Sequence, residues 1–305
     1  MNPAPSLIVF TVLSGIGLGL IAWIGLGFGP SSGAFALVGP AVAVLLTGAG
    51  GLASATHLAR PDRAWRAFSQ WKSSWLSREA CLMVLALGAF SAYALAWAYT
   101  GARFWGLGWG AAALAVATVY CTAMIYAQLK TVPRWSVAPT PALFLVLSAT
   151  GGFLALEAVT ALAGGAAHGG RLLLALALAA GASVWWQTQA AGALRSATGT
   201  TLATATGLGR LGRLSAFEPP HTGTNYLLEE MAFAVGRRRA WQLRWIGALF
   251  GFLAPAVLVL LAYAIGDWLI LPALLVHLVG VAALRWLFFA EAEHVQALYY
   301  GTAAR

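Results

Sequence analysis

Three side chains able to move protons or bind anions lie between the second and third long apolar runs of the chain. His57 ends the second run, Arg63 follows it in a charged connection, and Glu79 begins the third run. An imidazole titrates near neutral pH, and burial can raise the pKa of a carboxyl, so both groups can exchange protons. If the two runs are neighbouring helices, these three residues could converge on one substrate.

The elements that carry them belong to a membrane protein. The 305 residues are 60% hydrophobic and only 9% charged, and their mean hydropathy is +0.79. A soluble domain carries about 25% charged residues. Continuous apolar runs also lack the two-residue alternation of barrel strands, which favours helices.

Apolar runs of roughly 17–25 residues can cross a hydrocarbon core as helices. We predict an all-α integral membrane protein, a single membrane domain over 1–305, whose eight helices form two four-helix bundles. The predicted spans are 6–28, 35–57, 79–100, 106–129, 140–163, 171–194, 241–264 and 268–290.

The basic residues are distributed unevenly across these spans. Eight spans place both termini on one side, together with fifteen of the 18 Lys and Arg; only Arg103 and Arg171 lie opposite, and Arg285 lies inside the last span. The positive-inside rule makes the basic side cytoplasmic. We therefore expect the charge to face lipid headgroups or an acidic subunit rather than nucleic acid.

The charged connection after the second span has two interpretations. His57, Arg63 and Glu79 could hydrogen-bond a quinone carbonyl or quinol hydroxyl and pass its protons to water. The alternative is a membrane-surface anchor, with arginines among the headgroups and Trp65, Trp71 and Trp75 in the aromatic belt.

Three further ionisable residues lie deeper in the predicted spans: Glu157 in the fifth, and His277 and Arg285 in the eighth. Such residues are costly in a membrane and are functional candidates. Glu157 and His277 fall at similar depths, so they could form a structural pair or a proton relay. Arg285 lies near the level of His57 and Glu79, where its charge could bias that site.

Metal and haem sites are not predicted. Cys81 and Cys121 lie in separate spans without CxxC spacing, which suits neither an iron–sulfur cluster nor zinc. His168 and His221 lie in loops and His294 follows the last span. His57 and His277 differ in depth by about 15 Å at helical rise, which disfavours haem held between them.

The longest connection runs over 195–240 on the basic side. Its first part is rich in Thr, Gly and Ala, as in a loose loop. Its second part has a capping Thr224 or Asn225, acidic Glu229 and Glu230 in the first turns, and arginines at the end. We expect a short interfacial helix leading into the seventh span.

Two segments are similar to a known family. The runs from His57 to Ala64 (HLARPDRA) and from Ser74 to Glu79 (SWLSRE) resemble the His-Leu-Gly-x-Pro-x-Arg-Ala and Leu-Ser-x-Glu signatures of dimethyl sulfoxide reductase membrane anchors. The segment from His221 to Phe233 resembles that family's loop before helix seven. Ala59 departs from the family's usual Gly, which affects the fine geometry of the site.

The resemblance implies a haem-free anchor that exchanges electrons between quinone, either menaquinone or ubiquinone, and an iron–sulfur subunit serving a molybdopterin catalytic subunit. The substrate centre then lies in a partner, and this chain supplies a quinone redox site. The implied site residues are His57, Arg63 and Glu79, with Trp75 and Arg285 beside them. Candidate docking residues are Arg60, Arg66, Lys72, Arg237 and Arg238.

Two directions of electron flow and two other functions are open at this point. S-oxide reductases of the family oxidise menaquinol, whereas related sulfite dehydrogenases reduce quinone and face the cytoplasm, which the charge bias favours. The chain would then lie in a bacterial inner membrane. A small-molecule transporter would need paired interrupted helices, and a purely structural anchor would bind quinone elsewhere.

Overall fold

A computed structural model describes residues 4–56, 60–193, 202–215, 217 and 239–295. Eight helices in these ranges are long and apolar enough to cross a membrane, which confirms the predicted fold class. We number these long helices in chain order: α1 Pro5–Gly25, α2 Phe35–Ala55, α3 Trp75–Thr100, α4 Trp105–Ala127, α5 Pro139–Leu162, α6 Gly169–Ala190, α7 Ala240–Ile265 and α8 Ile270–Ala290.

Consecutive helices alternate in direction, so the membrane domain has two faces. The basic face is the one on which α1 begins and α2, α4, α6 and α8 end; the far face is opposite. The connection from α2 to α3 contains a 3-10 helix over Pro61–Phe68. In the 195–240 connection, the described part holds helical turns at Leu202–Thr206 and Leu208–Leu211. The predicted interfacial helix before α7 lies outside the described residues.

The helices form the two predicted four-helix bundles. In the first, α1 packs on α2 and α4, and α3 packs on α2 and α4; α5 to α8 form a second ring in the same way. The bundles meet mainly where α1 crosses α5. There, a Cβ added to Gly152 would lie 2.3 Å from the carbonyl carbon of Gly19. Only glycine permits this approach, as in other membrane helix pairs.

The third helix begins earlier than predicted. Ser74 caps it, and its hydroxyl oxygen accepts a hydrogen bond from the Ser77 backbone N–H at 3.4 Å. This cap satisfies one of the free N–H groups at the helix start. The helix ends before Gly101, which adopts φ 72°. Because of the earlier start, Glu79 lies one turn inside α3 rather than at its first residue.

One long helix changes its pitch. Residues Leu249–Leu253 of α7 form a π-helical turn, beside which Gly251 packs on Gly280 of α8: a Cβ on Gly280 would lie 1.9 Å from the Gly251 nitrogen. Helix α3, at the equivalent position of the first bundle, is α-helical from Trp75 to Thr100. A transporter built on inverted halves would show matched helix interruptions. Of α3 and α7, only α7 is interrupted.

The far-face loop between α1 and α2 is held by an arginine from the loop between α3 and α4. The Arg103 guanidinium donates hydrogen bonds to the carbonyls of Gly27, Gly29 and Pro30. It also lies 4.4 Å from the ring centroid of Trp97, whose indole N–H donates to the Ser31 carbonyl at 3.0 Å. One of the two far-face arginines therefore has a structural role.

Candidate functional site

A buried carboxyl lies near the basic face of the first bundle. Glu79 of α3 is 3% exposed, and the hydroxyl of Thr122 on α4 donates a hydrogen bond to its Oε1. Thr122 is itself buried, and its hydroxyl also lies 3.1 Å from the Thr118 carbonyl of its own helix. The carboxyl is thus held between two neighbouring helices, which makes it a candidate for chemistry rather than a surface charge.

The residues before Glu79 fix the start of α3. Arg78 donates from Nε to the Trp71 carbonyl at 2.9 Å and from Nη2 to the Lys72 carbonyl at 2.6 Å. Its guanidinium also lies 4.3 Å from the ring centroid of Trp75. The charge of Arg78 therefore fastens the preceding connection onto the helix and supports the position of Glu79.

Trp75 lies one helical turn before Glu79 and shares its face of α3. Its ring meets the ring of Tyr120 on α4 edge-on, with the centroids 6.0 Å apart. Both side chains therefore face α4, Trp75 nearer the membrane surface and Glu79 deeper. Trp75 therefore flanks the carboxyl on the surface side, and its role in quinone binding stays a prediction.

Arg63 is on the 3-10 helix, away from hydrogen-bonding contact with the carboxyl. Its side chain is about half exposed, and its Nε lies 3.9 Å from Asp62. Arg60 forms the closer pair, with Nε and Nη2 each 3.1 Å from a carboxylate oxygen of Asp62. His57 lies outside the described residues. The convergence of His57, Arg63 and Glu79 therefore stays a prediction.

Basic and aromatic side chains alternate along the same connection. Trp65 and Trp71 are 65% and 56% exposed, and each has a cation near its ring: Arg66 at 5.6 Å and Lys72 at 5.9 Å from the centroid. Such pairs suit both the headgroup layer and a partner surface, so the docking role of Arg60, Arg66 and Lys72 stays a prediction. The other docking candidates, Arg237 and Arg238, lie outside the described residues.

Arg285 is buried between the two bundles. It is 3% exposed, and its guanidinium carbon lies 3.6 Å from the ring centroid of Phe144. Within the described ranges its Nε and Nη1 have no hydrogen-bond partner. Tyr126 of α4 interacts electrostatically with both Arg285 and Glu79, and an effect of Arg285 on the carboxyl itself stays a prediction.

Tyr126 was not among the predicted site residues. It lies one turn beyond Thr122 on α4, so both point to the same side of the helix. The sequence signal was available: a threonine and a tyrosine four residues apart near the basic end of an apolar helix. Their relation to Glu79 depends on how α3 and α4 are rotated, which the sequence alone does not give.

The expected pair of Glu157 and His277 is wrong. Glu157 accepts hydrogen bonds from His168, from its backbone N–H at 2.8 Å and from Nδ1 at 3.2 Å. His277 donates from Nδ1 to the Gly251 carbonyl at 2.7 Å. Glu157 lies near the far-face end of α5, so the loop that carries His168 can bond it. His277 lies beside the π-helical turn of α7, so the Gly251 carbonyl can bond it. A relay role for either residue stays a prediction.

An ion cluster at the basic face was missed by the sequence reasoning. Arg134, from the connection between α4 and α5, and Arg244 of α7 both contact the carboxylate of Glu291 just after α8. Burial lowers the pKa of Arg134, and the charge of Glu291 opposes that shift. In the same region, Val295 N–H donates to the Thr131 carbonyl at 2.9 Å. The chain after α8 is thereby joined to the connection between α4 and α5.

Comparison with known proteins agrees with the resemblance seen in the sequence. A family model described as "DMSO reductase anchor subunit (DmsC)" matches residues 1–301. The chain belongs to this family. This membrane anchor is also similar to a sulfite dehydrogenase subunit of Allochromatium vinosum, with 33% identity over 331 residues that cover 100% of both chains.

Membership in the DMSO reductase anchor family identifies a multi-pass membrane protein that anchors a molybdopterin oxidoreductase. The two motifs quoted for the resemblance flank the described site: one includes His57 and Arg63, and the other runs from the cap residue Ser74 to Glu79. The signature thus covers both the cap of α3 and its buried carboxyl.

The anchor offers no clustered metal ligands in the described part of the chain, where no group of three or more His, Cys, Asp or Glu could hold an ion. His277 is fully buried, and a Cβ on Gly151 would lie 3.4 Å from its Nε2. The absence of haem from this chain stays a prediction.

Proposed function

We propose that this membrane anchor binds a quinone at its basic face and passes electrons between the quinone pool and an iron–sulfur subunit. That subunit in turn serves the molybdopterin catalytic subunit of the complex. Family membership supports the assembly, and the buried Glu79 carboxyl supports the site. The quinone is menaquinone or ubiquinone, and no metal or haem of this chain takes part.

The observation that carries the proposal is the position of Glu79. Quinone reduction and quinol oxidation move protons together with electrons, so the site needs a group that exchanges protons near the membrane surface. Glu79 lies one turn inside α3, below the charged connection and within the membrane span. In this proposal, a carboxyl at this depth exchanges protons between a lipid-soluble substrate and the aqueous face.

The neighbouring residues have separate roles in this proposal. Thr122 holds one carboxylate oxygen of Glu79, which fixes the direction of the other. Trp75 flanks the carboxyl on the surface side, and Arg285 biases it from the bundle interface. His57 and Arg63 would bind the substrate oxygens, and for Arg63 this requires a movement of the exposed 3-10 helix towards Glu79.

The similarity to a sulfite dehydrogenase subunit supports electron flow towards quinone. In that arrangement the basic face and both termini are cytoplasmic, in a bacterial inner membrane, and the iron–sulfur partner docks on Arg60, Arg66, Lys72, Arg237 and Arg238. The second candidate is menaquinol oxidation for an S-oxide reductase, favoured by the description of the family model. A reporter fused to either terminus that is active only outside the cytoplasm would overturn the first arrangement.

The decisive experiment replaces Glu79 by glutamine in the assembled complex. The amide keeps the shape but cannot take a proton, so quinone-linked turnover should fall about a hundredfold or more, the usual contribution of a general acid or base. Turnover with an artificial acceptor that bypasses quinone should be unchanged.

The matched control is Asp267→Asn, an equivalent change on the far face, where the Asp267 carboxylate accepts a hydrogen bond from the Ala167 N–H at 2.8 Å. This variant should retain quinone-linked turnover. If Glu79→Gln assembles fully and also retains that turnover, Glu79 is not the proton-exchanging group and the purely structural anchor is the better description.

A further inference from the structure

A groove lies in the second bundle, away from Glu79. It is a cavity of about 350 Å³ between α6 and α7, with Leu284 of α8 at its base. Leu173 and Leu176 form one wall, and Phe252 and Leu253 form the other. This volume is within the range of small-molecule sites, and the walls are almost wholly apolar.

The polar residues of the groove are concentrated at one end. Gln187 and Arg244 line it, three residues before the end of α6 and four after the start of α7. Both therefore lie near the basic face, at the depth of lipid headgroups. The apolar residue Leu173 lies fourteen positions from Gln187 along α6, about 21 Å at helical rise. The groove is long, with a polar end at the membrane surface.

The polar end carries positive charge. The Arg244 side chain is 46% exposed and contacts Glu291 through Nη2. Arg134 contacts the same carboxylate, so two positive charges share one negative charge. The exposed Arg239 lies at the start of α7. The negative charge of Glu293 also acts on Arg134 and reduces the excess of positive charge at this end of the groove. Behind the groove, Arg285 lines a small adjoining chamber together with Gln187. An anion is therefore favoured at this end.

We propose that this groove binds one acyl chain of an anionic phospholipid, with the headgroup phosphate beside Arg244. The groove, about 21 Å from Leu173 to the polar end, is longer than a single leaflet, which is about 15 Å or half of the hydrocarbon core, so one chain fits along its length. Basic pockets between membrane helices on the cytoplasmic side bind such headgroups. The site is independent of the proposed quinone function.

A quinone is the less suitable occupant. The groove itself offers a ring carbonyl only the donors of Gln187 and Arg244, at its exposed polar end. The buried, unpartnered Nε and Nη1 of Arg285 are reached only through the adjoining chamber. That chamber has a volume of about 10 Å³, close to what one water molecule occupies. A ring cannot enter it, so Arg285 acts on an occupant of the groove through its charge.

The test compares the lipid retained by two variants at alanine positions. The full chain is placed in nanodiscs of phosphatidylethanolamine and phosphatidylglycerol in equal parts, transferred to detergent and measured by native mass spectrometry. Ala177 lines the groove and is exposed. In Ala177→Phe, retained phosphatidylglycerol should fall about tenfold, because a phenyl ring excludes several buried CH₂ groups. Ala92→Phe, at an exposed position of α3, should retain as much as the unmodified chain.

Two further variants complete the test. Ala248→Phe fills the groove from α7 and should give the same loss, which keeps the proposal testable if Ala177→Phe fails to fold. Arg244→Gln should retain lipid but lose the preference for phosphatidylglycerol. Equal retention in Ala177→Phe and Ala92→Phe would overturn the proposal. A second outcome would also overturn it: protein from native membranes carries a bound quinone, seen as added mass, and Ala177→Phe no longer carries it. The groove would then hold a prenyl tail.

Discussion

The contact between Thr122 and Glu79 gives a quantitative prediction. In Thr122→Val a methyl group replaces the hydroxyl, so the side chain keeps its shape but no longer donates to the carboxylate. A hydrogen bond to a charged group contributes roughly 1.5–3 kcal/mol. If the proposed chemistry needs the held carboxylate, quinone-linked kcat/KM should fall by about 10- to 150-fold.

The assay is steady-state quinone turnover by the assembled complex, with artificial-acceptor turnover as the measure of assembly. Thr122→Ser restores the hydroxyl and should recover most of the lost rate. The control is Thr160→Val, since Thr160 is also buried but its side-chain hydroxyl donates to the Leu156 carbonyl of its own helix, at 2.8 Å, rather than to a carboxylate. Equal rates in Thr122→Val and Thr160→Val would refute the argument that Thr122 positions Glu79.

Two further predictions concern stability. Arg103→Lys keeps the charge but loses the planar guanidinium that binds three loop carbonyls. The thermal midpoint of unfolding should therefore drop, by the equivalent of about 2 kcal/mol in unfolding free energy. The control, Arg171→Lys at an exposed position, should leave the midpoint unchanged. Glu291→Gln removes the carboxylate shared by two arginines and should cost about 3 kcal/mol, measured by the same melting assay. Asp62→Asn breaks only exposed pairs and should cost less than about 1 kcal/mol, so a comparable loss in both variants would contradict this account.

The helices were predictable because membrane insertion constrains the sequence strongly. An apolar run of sufficient length has one stable structure in lipid, and the predicted spans match the observed helices to within a few residues. The start of α3 and the end of α6 differ most from prediction, by four residues each. Three of the four residues before the predicted start of α3, Trp75, Ser77 and Arg78, are polar or interfacial in type. The Ser74 cap and the contacts of Arg78 with the preceding loop make this segment helical.

The site was predictable only in part. Motif and depth placed Glu79 near the membrane surface, but its partner Thr122 is on another helix, and a contact between helices depends on their rotation about their axes. The hydrophobic pattern of a membrane helix, which is apolar on nearly all sides, defines that rotation poorly. Arg63, about half exposed on the 3-10 helix, lies 3.9 Å from Asp62.

The separate partners of Glu157 and His277 show why depth alone is a weak guide to pairing in a membrane protein. A buried ionisable group forms its hydrogen bond or ion pair with the nearest available polar group, and near a helix end that group belongs to the adjoining loop. Glu157 is bonded by His168 in this way, just as Glu291 is bonded by Arg134 from a connection. Glu79 also lies near a helix end, yet its described hydrogen bond is to another span and not to the loop before it. That loop carries Arg63 and follows His57, so a substrate could bind between them and the carboxyl, as the proposed function requires.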